Sequence, residues 1–215
     1  MVQVPSTVSL CGIDIESRLF PTGNEQVVAR GNVEFTTMSI TNLPLGWSDS
    51  FKLVHQRLLV AALQLHEWKQ AISEMYRVIT PGGWLQLGEV GSWQAGPVTV
   101  EHIALLLALF KSRGLVLDVY KHIPKMMREA GFIDVYEEER PLPLGMSAGQ
   151  YGINVRDNFM GVFRGMKIPT LKAGGFGFVS TEEEYDALMA SLEQEWDETS
   201  GAHFKFFIIC GRKPF

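Results

Sequence analysis

Several polar residues close apolar runs, where a side chain can reach a ligand while its backbone stays in a sheet. Asp14 ends "VSLCGID", His55, Gln56 and Arg57 follow "FKLV", and Glu89 follows "WLQLG". A strand-end carboxylate such as Asp14 can cap a turn, or it can accept charge-assisted hydrogen bonds from a ligand. Histidine titrates near neutrality, so His55 is suited to taking a proton from a nucleophile; in a core it would only be a satisfied side chain. Arg57 brings a permanent charge to the same place, or forms a surface ion pair, and Gln56 between them is a positioning residue. Glu89, behind an apolar strand, is expected to be partly desolvated, which favours the protonated acid; a loop-fixing role suits it equally. Farther on, Trp93, Phe110, Phe159, Phe163 and Met166 could line an apolar pocket or pack a cap. Trp68, Tyr76 and Trp84 read as core, and Glu137–Glu139 as a solvated face.

The elements that must position these residues follow from periodicity. "STVSLCGIDI" (6–15) reads as a buried strand, "NVEFTTMSI" (32–40) as a second, and "FKLVHQRLLV" (51–60) begins as a third. From His66 the apolar spacing turns helical through Trp68, Ala71, Ile72, Met75, Tyr76 and Ile79, and Thr80-Pro81-Gly82-Gly83 stops it. "WLQLGEV" (84–90) is a fourth strand, so strand, helix and strand form a parallel crossover. Helices are expected over 98–114, 122–130 and 151–169. A capping box joins Thr181 to Glu184 ahead of the stripe Tyr185, Leu188, Met189, Leu192 and Trp196. "IDVYEEERPLPLG" and the terminal "AHFKFFIICGRKP" read as strands. One α/β domain over 1–215 results, with helical cap elements near 98–130 and 150–172.

Composition narrows the classes. The chain has 215 residues, 46% hydrophobic and 20% charged, with net charge −5, which suits a folded protein rather than a nucleic-acid binder. No run is long enough to span a bilayer and no secretory leader is visible, so no membrane partner and a cytoplasmic location are expected. Cys11 and Cys210 lie in apolar strands and read as buried thiols in a reducing compartment. No metal site is expected.

The segments "GIDIESRLFP", "FKLVHQRLLVAAL", "EMYRVITPGGWLQLGE", "MMREAGFIDV" and "FFIICGRKP" resemble class I S-adenosylmethionine-dependent methyltransferases. The similarity is to the fungal type that modifies secondary metabolites. The resemblance implies a Rossmann-like sheet, mostly parallel with an antiparallel last strand, flanked by helices and helical cap insertions. It implies S-adenosyl-L-methionine as cofactor and a small, largely apolar acceptor as substrate. Residue by residue, Asp14 and Ile15 match the ribose-binding acid and its neighbour, and Ser39 and Ile40 match the adenine-edge position. Gln56 and Arg57 match the strand end where cofactor and substrate meet, with His55 and Glu89 as the catalytic candidates.

The chain departs from that pattern in one place. The strand and glycine-rich loop that the family puts before "VSLCGIDI" have no counterpart in the ten residues before Cys11. In the family that strand lies between those carrying Asp14 and His55. Three arrangements answer this: the flanking strands pair directly, another copy or a partner chain supplies a strand, or the chain is a shortened version of a longer protein. Two other readings of the activity stand beside methyl transfer. One is a cyclase- or pericyclase-like catalyst on the same fold; the other is a non-catalytic partner subunit.

Overall fold

The computed structural model describes Pro5 and residues 7–215. Strands β1 (Leu10–Asp14) and β2 (Val33–Thr37) pair in parallel, Leu10 opposite Val33 and Asp14 opposite Thr37. A short helix, α1 (Glu25–Val28), lies between them. The reading that began the first strand at Ser6 falls partly outside the described residues. A second sheet has the order β3–β4–β6–β5, formed by β3 (Phe51–Arg57), β4 (Ile79–Gln94), β5 (Ile133–Pro143) and β6 (His203–Arg212). β3 runs parallel to β4, and β6 runs antiparallel to both β4 and β5. Only the last strand is reversed within this sheet, as the resemblance implies.

Among the described residues no strand ladder joins β1 to β3, so these strands do not pair directly. The connection after β2 is instead clamped to α2 (Leu65–Val78). Leu43 N–H donates to Glu74 Oε2 at 2.8 Å, and the Arg77 guanidinium donates to Leu43 O at 3.0 Å and Ser48 Oγ at 2.9 Å. Glu74 and Arg77 also pair at 2.7 Å, which holds the Glu74 carboxyl below its usual range. The clamp occupies the open edge of a helix whose other face carries Trp68, Ala71, Ile72, Met75 and Val78 into the core at helical spacing.

Helix α2 ends at Val78, but Pro81-Gly82-Gly83 does not form a separate turn. The chain passes directly into β4, and the proline-glycine segment is a bulge where pairing jumps from Phe51–Ile79 to Leu53–Trp84. Pro81 needs no donor there, and Gly82, at φ 77°, turns its N–H toward Lys213 O at 3.0 Å. The third strand likewise ends earlier than its apolar run, at Arg57, because Leu58 takes φ 62° and turns the chain.

Helices α3 (Pro97–Ser112), α4 (Ile123–Ala130), α5 (Gly149–Gly165), α6 (Lys167–Lys172) and α7 (Glu182–Glu198) complete the fold. Thr181 Oγ1 caps α7 by accepting from Glu184 N–H, while Glu184 reaches Ser180 N–H, one residue earlier than the capping-box spacing predicts. Two expected core residues lie elsewhere. Trp84 is 36% exposed, edge-on to Tyr136, and Cys11 is exposed because β1 belongs to a two-stranded sheet with little to cover it. Cys210 is buried, and both thiols are free.

The N-terminus of α3 is capped from another helix. Glu195 of α7 accepts from Val98 N–H, Thr99 N–H and Thr99 Oγ1, at 2.8, 2.7 and 2.6 Å, and Trp196 Nε1 donates to Thr99 Oγ1 at 2.9 Å. A helix end leaves donors unsatisfied, and a carboxylate there also meets the positive end of the dipole. Burial pushes the Glu195 carboxyl up, but the bonds from Thr99 and Val98 outweigh it and hold the group below its ordinary value of 4.5. The bonded, ionised form stabilises the fold above the unfolded value, and that stabilisation is lost as pH falls through the lower folded value. Glu195→Ala should therefore cost about 1–2 kcal/mol at pH 7. Urea unfolding should show the gap from the parent narrowing by pH 3; a gap independent of pH would contradict this account.

Candidate active site

A cavity of about 760 Å³ opens between the end of β3, the C-terminal part of β4 and helix α5. Its floor is aromatic: Trp93 of β4 meets Phe159 and Phe163 of α5 edge-on at 5.5 and 5.8 Å, and Phe159 meets Phe204 of β6 at 4.6 Å. Edge-to-face rings pack tightly and leave faces and edges for a flat apolar guest. Phe110 of α3 and Met166, just past α5, extend this wall, and Arg57 stands at the end of β3 beside Leu58, Val60 and Ala61. Trp93, Phe110, Phe159, Phe163 and Met166 thus line one cavity.

Glu89 lies beneath the turn that follows β3. It is fully buried, and its carboxylate accepts from Gln56 Nε2 and Leu59 N–H, both at 2.8 Å, and from Val60 N–H at 3.3 Å. Burial pushes its pKa up, against the pull of those bonds. This carboxylate holds Leu58–Val60 in place, including the left-handed Leu58, and it does not line the cavity. Its oxygens are taken up by Gln56 and the loop, the loop-fixing arrangement expected alongside the catalytic one. Gln56 is 8% exposed, with its Nε2 donated to Glu89, which fits the positioning role expected of it.

His55 is exposed on β3 and is absent from the cavity wall, which begins at Arg57 two residues on. Asp14 is exposed at the tip of β1, where its Oδ1 accepts from Glu16 N–H at 2.9 Å, the turn-capping arrangement. Its Oδ2 has no partner among the described residues, and Ile15 beside it is 73% exposed. Parallel pairing brings the segment after β2 to the same tip, with Met38 N–H donating to Asp14 O at 2.9 Å. Ser39 Oγ bonds Thr41 Oγ1 at 2.8 Å, and Ile40 packs on the core. A free carboxylate oxygen, an exposed apolar side chain and a hydroxyl on neighbouring loops fit a nucleoside with a ribose diol and a flat base. A glycine-rich cradle for its charged tail is not among the described residues.

Sequence reasoning missed one group of site residues and one buried residue behind the cavity wall. Tyr151, Asn154 and Asn158 of α5 line the cavity at spacings of three and four, a helical face that periodicity could have revealed. His102 of α3 had no signal at all: it is 2% exposed, its ring lies 4.4 Å from that of Phe163, and neither nitrogen has a partner among the described residues. The described residues hold no cluster of potential metal ligands and no helix long and apolar enough to cross a membrane.

A methyltransferase-domain family model matches residues 2–83. The chain is 29% identical to N-methyltransferase tcpN of Claviceps purpurea, over 98% of this chain and 76% of that protein. It is 27% identical to N-methyltransferase gliN of Aspergillus fumigatus, over 96% and 74%. Among solved structures it resembles phosphoethanolamine N-methyltransferase 2 of Haemonchus contortus, with TM-score 0.57 and 15% identity over 97% of this chain and 44% of that one. The [4+2]-cyclase SpnF superposes with TM-score 0.54 and 19% identity, over 96% and 67%. The fold defined by sheet order and cavity is that of the Rossmann-like methyltransferases. With the domain match and the fungal relatives, it supports a class I S-adenosylmethionine-dependent methyltransferase of the fungal secondary-metabolite type.

Proposed function

We propose that the chain transfers a methyl group from S-adenosylmethionine to a small, largely apolar metabolite held in the aromatic cavity. The observation that carries this is the cavity itself, which adjoins the end of β3, where a parallel α/β sheet presents ligands. Asp14, Ile15 and the Ser39–Ile40 segment would hold the nucleoside part of the cofactor. When bound, the cofactor supplies an electrophilic methyl on a sulfonium, and the protein's task is chiefly to align it with a nucleophile. Arg57 faces the acceptor space and would favour the anionic form of an acidic nucleophile. Trp93, Phe159 and Phe163 exclude water from the acceptor. His55 lies two positions before Arg57 on the strand and can take up the released proton at the mouth. In this reading both thiols stay reduced and the protein works in the cytoplasm.

Calorimetric titration with S-adenosylmethionine, followed by tracing labelled methyl into apolar acceptors, tests the proposal. Saturable cofactor binding is expected, and Asp14→Ala should weaken it about tenfold, in line with loss of charge-assisted bonds to a hydroxyl. No heat at millimolar cofactor would overturn the reading. Turnover of an acceptor without any cofactor would instead favour the cyclase alternative.

A further inference from the structure

Arg57 is the one charged side chain on the described wall of the cavity, and sheet register sets its direction. It lies opposite Gly88 in the parallel β3–β4 ladder, and directly paired residues send their side chains to the same face of a sheet. Val90, two residues beyond Gly88, and its β6 partner Phe206 share that face, and both line the cavity. The stem of Arg57 leans over β4: a Cβ added at Gly88 would come 3.3 Å from Arg57 Cγ and 2.8 Å from the ring of Phe206. Glycine at this position leaves room for both side chains. Arg57 is exposed, and its guanidinium makes no hydrogen bond or ion pair among the described residues. The Glu89 carboxylate leaves the opposite face and is taken up by Gln56, Leu59 and Val60. On the α5 side of the wall stand Tyr151, Asn154 and Asn158, exposed and uncharged. Five donors in a fixed fork thus stand unpaired beside an aromatic space whose described wall holds no carboxylate.

We infer that the cavity takes a flat apolar acid, whose hydrocarbon part lies against Trp93, Phe159 and Phe204 and whose carboxylate pairs with Arg57. The guanidinium fork matches a carboxylate with two parallel N–H···O bonds, so the pair fixes orientation as well as adding affinity. A neutral apolar guest would bind through the aromatic wall alone, with nothing directional to hold it. Cationic amines are disfavoured: no anion on the wall offsets their desolvation, and Arg57 repels them. Arg57 is thus the specificity element of the site. The inference rests on the proposed reading of the cavity as the acceptor site, but its test reads binding and not methyl transfer.

Three probes of one skeleton separate the contributions: 2-naphthoate is anionic at neutral pH, 2-naphthamide is its neutral counterpart, and 2-naphthylmethylamine is cationic. Ligand-observed NMR titrations against the full chain should rank 2-naphthoate about tenfold tighter than 2-naphthamide, the difference between a charged and a neutral hydrogen-bonded pair, with the amine weakest. Arg57→Gln should bring 2-naphthoate to the level of 2-naphthamide and leave 2-naphthamide unchanged. Arg57→Lys keeps the charge and loses the fork, so it should restore only part of the preference. In the parent protein, 2-naphthoate affinity should fall several-fold as salt rises above about 0.1 M while that of 2-naphthamide holds, a readout that needs no variant. No preference for the acid, equal weakening of both probes by Arg57→Gln, or an affinity for 2-naphthoate indifferent to salt would each overturn the inference. So would an Arg57→Gln protein that binds S-adenosylmethionine less tightly and 2-naphthoate as before, since the guanidinium would then serve the cofactor's carboxylate. Binding of none of the three probes would overturn the acceptor-site reading with it. An acid preference that depends on Arg57, in a protein that binds no S-adenosylmethionine, would uphold the inference and count only against the proposed activity.

Discussion

Glu89→Ala should destabilise the protein by about 3–5 kcal/mol and weaken acceptor binding, although Glu89 does not line the cavity. The magnitude follows from what the substitution leaves behind. Gln56 Nε2 and the N–H groups of Leu59 and Val60 all point at the carboxylate. Buried donors that lose their partner cost about 1–3 kcal/mol each, although the effects do not add fully. The functional effect follows from position, since Leu58, Val60 and Ala61 form part of the cavity wall and hang on those bonds. Glu89→Gln keeps the volume and one acceptor oxygen but presents an amide donor to other donors, so an intermediate loss is expected. Denaturant unfolding and probe titration on the same samples check both halves. A variant as stable as its parent, or one that loses stability and keeps full affinity, would refute the positioning role.

The second large effect is a loss of stability below pH 6.5 that His102 produces. Burial against Phe163 pushes this imidazole from 6.5 down to about 4, so it is neutral in the native state at pH 7. Between those values the unfolded chain binds a proton that the folded chain refuses, and the fold weakens as pH falls. The shift corresponds to about 3 kcal/mol, reached fully near pH 4, at 1.36 kcal/mol per unit. Glu89 acts in the opposite sense: its raised folded value makes protonation on acidification favour the native state. The His102 contribution is therefore isolated by comparing the parent with His102→Leu, which removes the titrating group and the unpartnered nitrogens and keeps an apolar side chain. The variant should match or exceed the parent at pH 7 and gain on it steadily down to pH 4. Parallel stability curves would show that the imidazole does not titrate as its burial requires.

Much of the architecture is legible in the primary structure because local periodicity and core burial agree there. The stripe from Trp68 to Met75 can face only one way on a helix, and the buried β4 accepts its parallel neighbour through the α2 crossover. Legibility fails where tertiary partners overrule local signals. Proline and two glycines after Val78 look like a turn, yet Phe51 and the C-terminal segment draw them into β4 as a bulge. The apolar run of β3 continues in the sequence to Val60, but the Glu89 carboxylate holds the chain in a turn at Leu58. Cys11 has an apolar context and stays exposed because β1 belongs to a small two-stranded sheet. In the site, the size of Trp93, Phe110, Phe159, Phe163 and Met166 suggests a pocket. That they share one depends on α5 lying across β4 and β6, and pattern does not state that packing.

Sequence alone indicated most of the strands and helices, the aromatic supply for a pocket and the likeness to methyltransferases, which in turn implied the reversed last strand. Tertiary structure decided that Glu89 and Gln56 serve a loop, that Arg57 and not His55 borders the cavity, and that the Trp93 and His102 nitrogens are left unpartnered. The reason is physical: periodicity reports which face of an element avoids water, whereas the partner of a buried polar atom is fixed only when distant elements pack together.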